Sequence, residues 1–164
     1  MFAASQGGHY KELMGLQSLF SKYDSVLVTD NQAAIKQVDV ASDFKDIAIL
    51  HTMADARKKM AGSSKRIGRF QQIGTYLKMF IECIHVYQKY KPKVIVSTGA
   101  NIAVPLFICA KLYGAKSIFV ESNAMVYSKT TTGTLVEKLS DTIYVQWPEM
   151  LKVYPNAEYY GVLN

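Results

Sequence analysis

Residues 93–121, KVIVSTGANIAVPLFICAKLYGAKSIFVE, decide the fold, because two strand-like runs flank an apolar helical stretch. The runs at 93–97 and 116–121 are rich in Val, Ile and Phe and lack strict alternation, which is typical of strands buried on both faces. The stretch between them, residues 102–113, fits a helix. A strand, a helix and a second strand in this order predict one unit of a parallel sheet.

The same alternation continues on both sides of this unit. Further strands are predicted at 1–5, 25–29, 47–50 and 142–146, and further helices at 8–22, 70–90 and 132–140, with a short one opening at Pro148. The order predicts an α/β protein with a Rossmann-like parallel sheet flanked by helices. Since the chain has no internal repeat and no long linker, residues 1–164 are predicted to form one domain.

Composition excludes several classes of protein. With 49% hydrophobic and 20% charged residues, the chain has the content of a folded globular protein rather than a disordered one. Cys83 and Cys109 stand alone in apolar segments, which favours reduced core thiols of a cytosolic protein over reactive ones. No run approaches the roughly 18 apolar residues of a spanning helix, and the N-terminus does not resemble an export signal. We therefore expect neither a membrane span nor secretion.

The positive charge, +6 overall, is concentrated in one segment, residues 57–69, RKKMAGSSKRIGR. This segment contains no acidic residue, and its basic residues are Arg57, Lys58, Lys59, Lys65, Arg66 and Arg69. A solvated loop, an anionic membrane surface or a nucleic acid would each account for such a run. The apolar residues that follow at helical spacing favour the membrane over nucleic acid. They are Phe70, Ile73, Leu77, Phe80, Ile81, Ile84 and Tyr87, although this helix could equally cover the sheet.

The glycine pair Gly7 and Gly8 lies between the first strand and the first helix. Ligands of parallel sheets bind beyond the carboxyl ends of the strands, where a glycine turn lets backbone amides approach a phosphate. His9 then lies in the first helical turn, where the helix dipole favours a neutral imidazole that can accept a proton. Ser5 precedes this turn. The pattern is not GxGxxG, and a tight turn with a capping histidine is the structural alternative.

Two other strand ends carry polar residues. Thr98 and Gly99 occupy a second strand-to-helix turn, which would present further amide donors on the same cleft. Glu121, Ser122 and Asn123 follow the fifth strand, where Glu121 is either functional or a structural cap. We found no metal-ligand spacing of Cys, His or carboxylates and no DxD motif, so no metal and no cofactor is predicted.

Five segments in order resemble one protein family: SQGGH, the run 97–122, TGTLVEKLSD, VQWPEMLKVYP and AEYYGVL. They are similar to membrane-associated glycosyltransferase subunits, namely the anchor subunit of the N-acetylglucosaminyltransferase of N-glycan assembly and bacterial capsule and exopolysaccharide subunits. A more distant similarity, in GGH and ESN, is to the N-acetylglucosaminyltransferase of peptidoglycan lipid synthesis. The resemblance implies the N-terminal domain of a GT-B glycosyltransferase.

The resemblance also implies a division of labour. A separate donor-binding subunit, similar to the GT-B C-terminal half, would supply the UDP-sugar, and this chain would bind the lipid-linked polyprenyl diphosphate acceptor. The complex would be peripheral on the cytoplasmic face of the membrane. By this analogy His9 is the candidate base, and Glu121 is a second base or an orienting residue. Ser5, Gly7, Gly8, Thr98, Gly99, Ser122 and Asn123 would contact substrate or phosphate, and the C-terminus would run towards the partner subunit.

Two alternatives remain at this point. The chain could be a non-catalytic subunit that recruits or stabilises a complete transferase. It could also be a self-contained nucleotide-binding protein that uses the glycine turn for its own ligand.

Neutralising three of the six basic residues in segment 57–69, for example Lys58, Lys59 and Lys65 to Gln, tests the membrane prediction. Each positive charge near an anionic surface contributes about 1 kcal/mol to binding, so the affinity for vesicles rich in phosphatidylserine should fall strongly. Vesicle co-sedimentation measures the affinity, with neutral vesicles as the control. Unchanged binding to anionic vesicles would identify the segment as a solvated loop.

Overall fold

The computed structural model describes residues 1–33, 43–51 and 69–163, and its strands form one parallel seven-stranded sheet. The strand order is β3-β2-β1-β4-β5-β6-β7, so the chain moves outward from β1 in one direction and, after β3, in the other. The strands are β1 (Phe2–Ala3), β2 (Val26–Thr29), β3 (Asp46–Ile49), β4 (Val94–Ser97), β5 (Lys116–Val120), β6 (Thr142–Val145) and β7 (Glu158–Tyr159). The predicted fold class is therefore confirmed.

Helices connect these strands, as parallel pairing requires. The described α-helices are α1 (Gly8–Met14), α2 (Arg69–Tyr90), α3 (Ala103–Tyr113) and α4 (Thr131–Val136). Two 3₁₀ turns, Gln17–Leu19 and Pro148–Lys152, are also described, and the second has Pro148 in its first turn. Within the described ranges, no helix is long and apolar enough to cross a membrane.

The core has one cluster of buried side chains on each face of the sheet. On one face, α2 and α3 pack on the strands through Cys83, Leu106 and Phe119, among others. On the opposite face, Phe2, Phe20 and Phe44 form an aromatic group under α1, with ring centroids 4.3 to 6.2 Å apart. Because both faces are covered at the centre, all four residues of β2 are buried, as the apolar runs predicted. The first residues of β4 and β5, which were also expected to be buried, are exposed because they lie at the amino ends of these strands.

The two cysteines belong to this core. Cys83 and Cys109 are buried and form no disulfide, and burial raises the pKa of the Cys83 thiol far above its ordinary value. A thiol that stays protonated is a poor nucleophile. The structure therefore favours the core role that the sequence predicted.

Helix α2 covers the sheet, which was one of its two predicted roles. Met79, Cys83 and Tyr87 face the core, whereas Ile73 and Leu77 on the other side are exposed. The helix thus has a second apolar surface that the described part of the chain leaves open.

The boundaries differ from the prediction at three places. The helix expected over 8–22 ends at Met14, because Gly15 is a weak helix former and the chain then turns so that Phe20 reaches the aromatic group. The helix expected over 132–140 ends at Val136. Strand β7 was missed, since it has only two residues, both exposed, and therefore carries no hydrophobic pattern.

Truncating Leu106 tests whether α3 anchors the core. Leu106→Ala should lower the free energy of unfolding by about 2–5 kcal/mol, because the lost contacts leave a cavity in a packed interior. The matched control is Leu112→Ala on the same helix, where the side chain is 71% exposed and the expected change is within about 0.5 kcal/mol. Urea denaturation followed by circular dichroism measures both. An equal decrease in the free energy of unfolding for Leu106→Ala and Leu112→Ala would contradict the assignment of Leu106 to the core.

Candidate functional site at the carboxyl edge of the sheet

Strands β1 and β4 are neighbours at the centre of the sheet. The strands before β4 extend the sheet to one side of this pair, and the strands after β4 extend it to the other side. In open parallel sheets the crevice beyond the carboxyl ends of two such strands is the usual ligand site. The turn after β1 leads through Gly7 into α1, and the turn after β4 contains Thr98 and Gly99. The sequence-predicted turns therefore meet in one crevice.

Gly7 precedes α1 with a φ of 110°, a backbone conformation that favours glycine. The backbone amide of Lys11 donates to the Gly7 carbonyl oxygen at 3.1 Å, so the helix begins directly from this turn. An added Cβ at Gly7 or Gly8 would meet no heavy atom within 4 Å. The two glycines therefore leave the backbone of this turn uncovered.

His9 joins the first turn to the second through two hydrogen bonds. Its ring Nδ1 lies 2.8 Å from the Thr98 carbonyl oxygen, and the Thr98 hydroxyl donates to the His9 carbonyl oxygen at 2.6 Å. A carbonyl oxygen can only accept, so Nδ1 carries the proton. In the neutral ring Nε2 then has the free lone pair, and no hydrogen-bond partner of Nε2 is found among the described residues.

Gly99 allows the imidazole to lie against the second turn. Its φ is 119°, and a Cβ at this position would stand 2.9 Å from both Cε1 and Nδ1 of His9. This separation is shorter than real Cβ contacts allow. Gly99 is thus required both by its backbone conformation and by the position of the His9 ring.

Glu12, one helical turn after His9, is a site residue that the sequence reasoning missed. One carboxylate oxygen, Oε2, lies 3.7 Å from His9 Nδ1. The other, Oε1, accepts hydrogen bonds from the Ser122 hydroxyl at 2.8 Å and the Asn123 amide at 2.9 Å. The signal in the sequence was the spacing of three residues, which places two side chains on one helix face.

Glu12 changes the expected electrostatics of His9. The pKa of the imidazole is raised above its ordinary value, chiefly by the interaction with the Glu12 carboxylate and further by the Thr98 carbonyl, although burial opposes the rise. The helix dipole by itself favours the neutral ring, but the Glu12 carboxylate one turn away acts on the pKa of His9 in the opposite direction. Burial acts to raise the pKa of Glu12, but contacts with His9, Ser122 and Asn123 lower it overall.

Glu121 points into the protein, where it is 1% exposed. The Ser122 amide donates to Oε1, and the Thr130 amide, the Thr130 hydroxyl and the Tyr154 hydroxyl all donate to Oε2, at distances of 2.5 to 3.3 Å. Burial, followed by the Glu121 carboxylate, raises the pKa of the Tyr154 phenol. These contacts favour the structural role, as a cap, that the sequence analysis gave as one of two possibilities for Glu121. A role of Glu121 in the reaction stays a prediction.

The remaining predicted residues divide into three groups. Ser122 and Asn123 reach the site through Glu12. Ser5 lies in the turn after β1, buried, with no hydrogen-bond partner of its hydroxyl in the described part of the chain. Of the basic residues, Arg57, Lys58, Lys59, Lys65 and Arg66 lie outside the described residues, and only the backbone of Arg69, at the start of α2, is described.

Over residues 1–33, 43–51 and 69–163, no group of three His, Cys, Asp or Glu could hold a metal ion.

Residues 1–163 match the family described as oligosaccharide biosynthesis protein Alg14 like. The chain belongs to this Alg14-like family. It is 32% identical over 174 aligned positions to the UDP-N-acetylglucosamine transferase subunit ALG14 of Homo sapiens, covering 98% of this chain and 81% of the relative. The Kluyveromyces lactis subunit of the same name is 28% identical and covers 88% of this chain, which spans 63% of that relative.

More distant similarities concern larger proteins. A segment covering 58% of this Alg14-like chain is 33% identical to 26% of a Prochlorococcus marinus enzyme named UDP-N-acetylglucosamine–N-acetylmuramyl-(pentapeptide) pyrophosphoryl-undecaprenol N-acetylglucosamine transferase. Among solved structures, MurG of Acinetobacter baumannii superposes with a TM-score of 0.71 and 13% identity, over 100% of this chain and 45% of MurG. UDP-GlcNAc 2-epimerase of Methanocaldococcus jannaschii gives a TM-score of 0.64 over 98% of this chain and 44% of the epimerase. These likenesses show a GT-B-type Rossmann-like fold.

Replacing Gly99 with Ala tests the packing of the imidazole. The new methyl group would collide with the ring, and the positive φ would be strained, so the free energy of unfolding should fall by about 1–3 kcal/mol. The His9 ring resonances should shift in an NMR spectrum. Gly74→Ala is the control, because Gly74 lies within α2 with no heavy atom near its Cβ position, and Ala there should stabilise the helix. An unshifted His9 resonance in Gly99→Ala would contradict the contact.

Proposed function

We propose that this chain is the acceptor-binding, membrane-associating subunit of a two-component glycosyltransferase, which transfers a sugar from a UDP-sugar such as UDP-N-acetylglucosamine to a lipid-linked polyprenyl diphosphate saccharide. The observation that carries the proposal is the position of His9. Its Nδ1 proton is held by Thr98 at the crevice between β1 and β4, which leaves Nε2 as the proton acceptor. Family membership supports the reaction class.

The proposed reaction is a displacement at the anomeric carbon of the donor sugar. His9 Nε2 accepts the proton of the acceptor hydroxyl while the oxygen forms a bond to the anomeric carbon. The bond from that carbon to the diphosphate oxygen breaks, and the nucleoside diphosphate leaves with the electron pair. We assign the binding of the substrate diphosphate to the open backbone of Gly7 and Gly8 and to the turn of Thr98 and Gly99, which lie on either side of this base.

The donor site is proposed to come from a separate subunit that resembles the C-terminal half of a GT-B enzyme. This chain superposes on 45% of the length of MurG. The relatives from Homo sapiens and Kluyveromyces lactis are named as subunits. Tyr159 and Tyr160 are 40% and 82% exposed, and exposed tyrosines are common in protein interfaces.

Membrane association at the cytoplasmic face is the third part of the proposal. The exposed residues Ile73, Leu77 and Ile81 form an apolar surface on α2, directly after the basic segment 57–69 in the sequence. An apolar helix face next to positive charge suits an anionic lipid surface. A membrane position would also bring the crevice near a lipid-linked acceptor.

The proposal is tested by co-purification followed by a transfer assay. The tagged chain is isolated from gently solubilised membranes, and its partners are identified by mass spectrometry. Transfer from UDP-N-acetylglucosamine to a polyprenyl diphosphate saccharide is then measured for the complex and for the isolated chain. Transfer by the complex but not by the isolated chain would support the two-component transferase. A chain that purifies by itself and binds a nucleotide would contradict the proposal.

Replacing His9 distinguishes a catalytic subunit from one that only recruits a transferase. His9→Ala should reduce kcat of the assembled complex by about 100-fold or more, the usual contribution of a general base. Because the base must be neutral and its pKa is raised, wild-type activity should increase with pH through a midpoint above about 6.5. His85→Ala is the control, as His85 is exposed on α2. Normal transfer by His9→Ala would remove His9 from the mechanism.

A further inference from the structure

Glu12 occupies a central position in the crevice, although it was not among the residues expected to act there. It lies on α1, its side chain is 14% exposed, and it contacts residues from two other parts of the sheet edge. Through His9 it reaches the turn after β4, and through Ser122 and Asn123 it reaches the loop after β5. One carboxylate therefore connects three segments that surround the crevice.

The two carboxylate oxygens have different environments. Oε1 accepts two hydrogen bonds from the loop after β5. Oε2 is buried, and within the described part of the chain no hydrogen bond reaches it. An oxygen of a buried carboxylate without a hydrogen-bond donor is costly, so the oxygen gains most from a nearby positive charge. The His9 ring, 3.7 Å away, is positioned to supply that charge.

We propose that Glu12 is the positioning residue of His9: its Oε1 is fixed by the Ser122–Asn123 loop, so that its Oε2 stabilises the imidazolium that forms when Nε2 accepts a proton. This inference rests on the function proposed above, in which His9 is the base. It assigns Glu12 no contact with substrate. The Thr98 carbonyl selects the tautomer of the ring, and Glu12 stabilises the charge that this ring acquires.

Among the described residues, two carboxylates act on the His9 imidazole. Glu12 acts from α1, and Glu121 acts at longer range from the end of β5. The turn after β4 contributes Thr98 and Gly99, which carry no charge. Glu121 is buried and accepts hydrogen bonds from neutral donors, and Glu12 has the larger effect on the pKa of His9. Removing the Glu12 charge should therefore lower the pKa of His9 more than any other single carboxylate change.

The test uses Glu12→Gln and Glu12→Asp in the full chain and in the assembled transferase. Gln keeps the side-chain length and one oxygen that can accept from Ser122, but it removes the charge. The pKa of His9, followed by NMR titration of the isotope-labelled imidazole, should fall by about one unit in Glu12→Gln. The acidic limb of the pH profile of kcat/KM should move to lower pH by the same amount, while kcat at its plateau falls by about 10-fold because the imidazolium is less stabilised.

The controls separate this effect from a general loss of structure. Asp24→Asn makes the same chemical change before β2, at the opposite end of the sheet, and should leave the titration of His9 unchanged. Glu12→Asp retains the charge, so the pKa of His9 should stay nearer to the wild-type value than in Glu12→Gln. This second variant also keeps the inference testable if Glu12→Gln does not fold.

The outcomes also distinguish this inference from the proposed function. A titration of His9 that is the same in wild type and Glu12→Gln would overturn the role of Glu12, as would equal shifts in Glu12→Gln and Glu12→Asp. A loss of transfer in His9→Ala together with a normal pH profile in Glu12→Gln would overturn it too, while leaving His9 as the base. Full transfer by His9→Ala would instead remove His9 from the proposed mechanism, even where NMR shows the effect of Glu12 on the pKa of His9.

Discussion

The pair of hydrogen bonds between His9 and Thr98 is the interaction on which the geometry of the crevice depends. Each residue uses its backbone carbonyl as acceptor for the other's side chain, so two turns that are 89 residues apart in the chain are held face to face. Strand pairing alone would bring β1 and β4 side by side without fixing their turns. These two bonds define the ring orientation, the tautomer and the contact with Gly99 together.

This arrangement requires a firmly held β1, which has only two residues. β1 pairs with β2 on one side and β4 on the other, and the Ser97 hydroxyl adds a hydrogen bond to the Ala3 carbonyl at 2.8 Å. Phe2 enters the aromatic group with Phe20 and Phe44, whereas Ala3 faces the helices of the opposite side. A short strand with both neighbours paired and both faces packed can hold a functional turn at its end.

The sequence predicted the sheet and the location of the crevice because these follow from short-range patterns. Apolar runs such as 25–29 directly indicate buried strands, and a glycine pair such as Gly7–Gly8 directly indicates the turn between a strand and a helix. The elements that it mispredicted are those that tertiary contacts decide. Phe20 ends the first helical region by packing on Phe2, and the two residues of β7 gain their assignment from pairing with β6.

The site was only partly predictable for the same reason. Glu12 belongs to the site because Ser122 and Asn123, 110 and 111 residues away in the chain, bind one of its oxygens. No local pattern contains that information, and by sequence Glu12 is an ordinary acidic residue on a helix. Conversely, Glu121 has a suggestive position at a strand end, but Tyr154 and Thr130 turn its carboxylate inward.

Glu12 and Glu121 carry the same functional group, but their different hydrogen-bond partners give the two carboxylates different roles. Glu121 receives hydrogen bonds on both oxygens from neutral donors, and Gly133 leaves the room that this cluster needs, since a Cβ there would collide with the Glu121 carboxylate and the Tyr154 hydroxyl. Such a carboxylate is already satisfied in the resting protein, and it acts on the His9 ring only at longer range. Glu12 has one satisfied oxygen and one that faces a ring able to become positive. The second arrangement gains more stability when a proton arrives at His9, and this difference makes Glu12 rather than Glu121 the carboxylate suited to the role proposed for it.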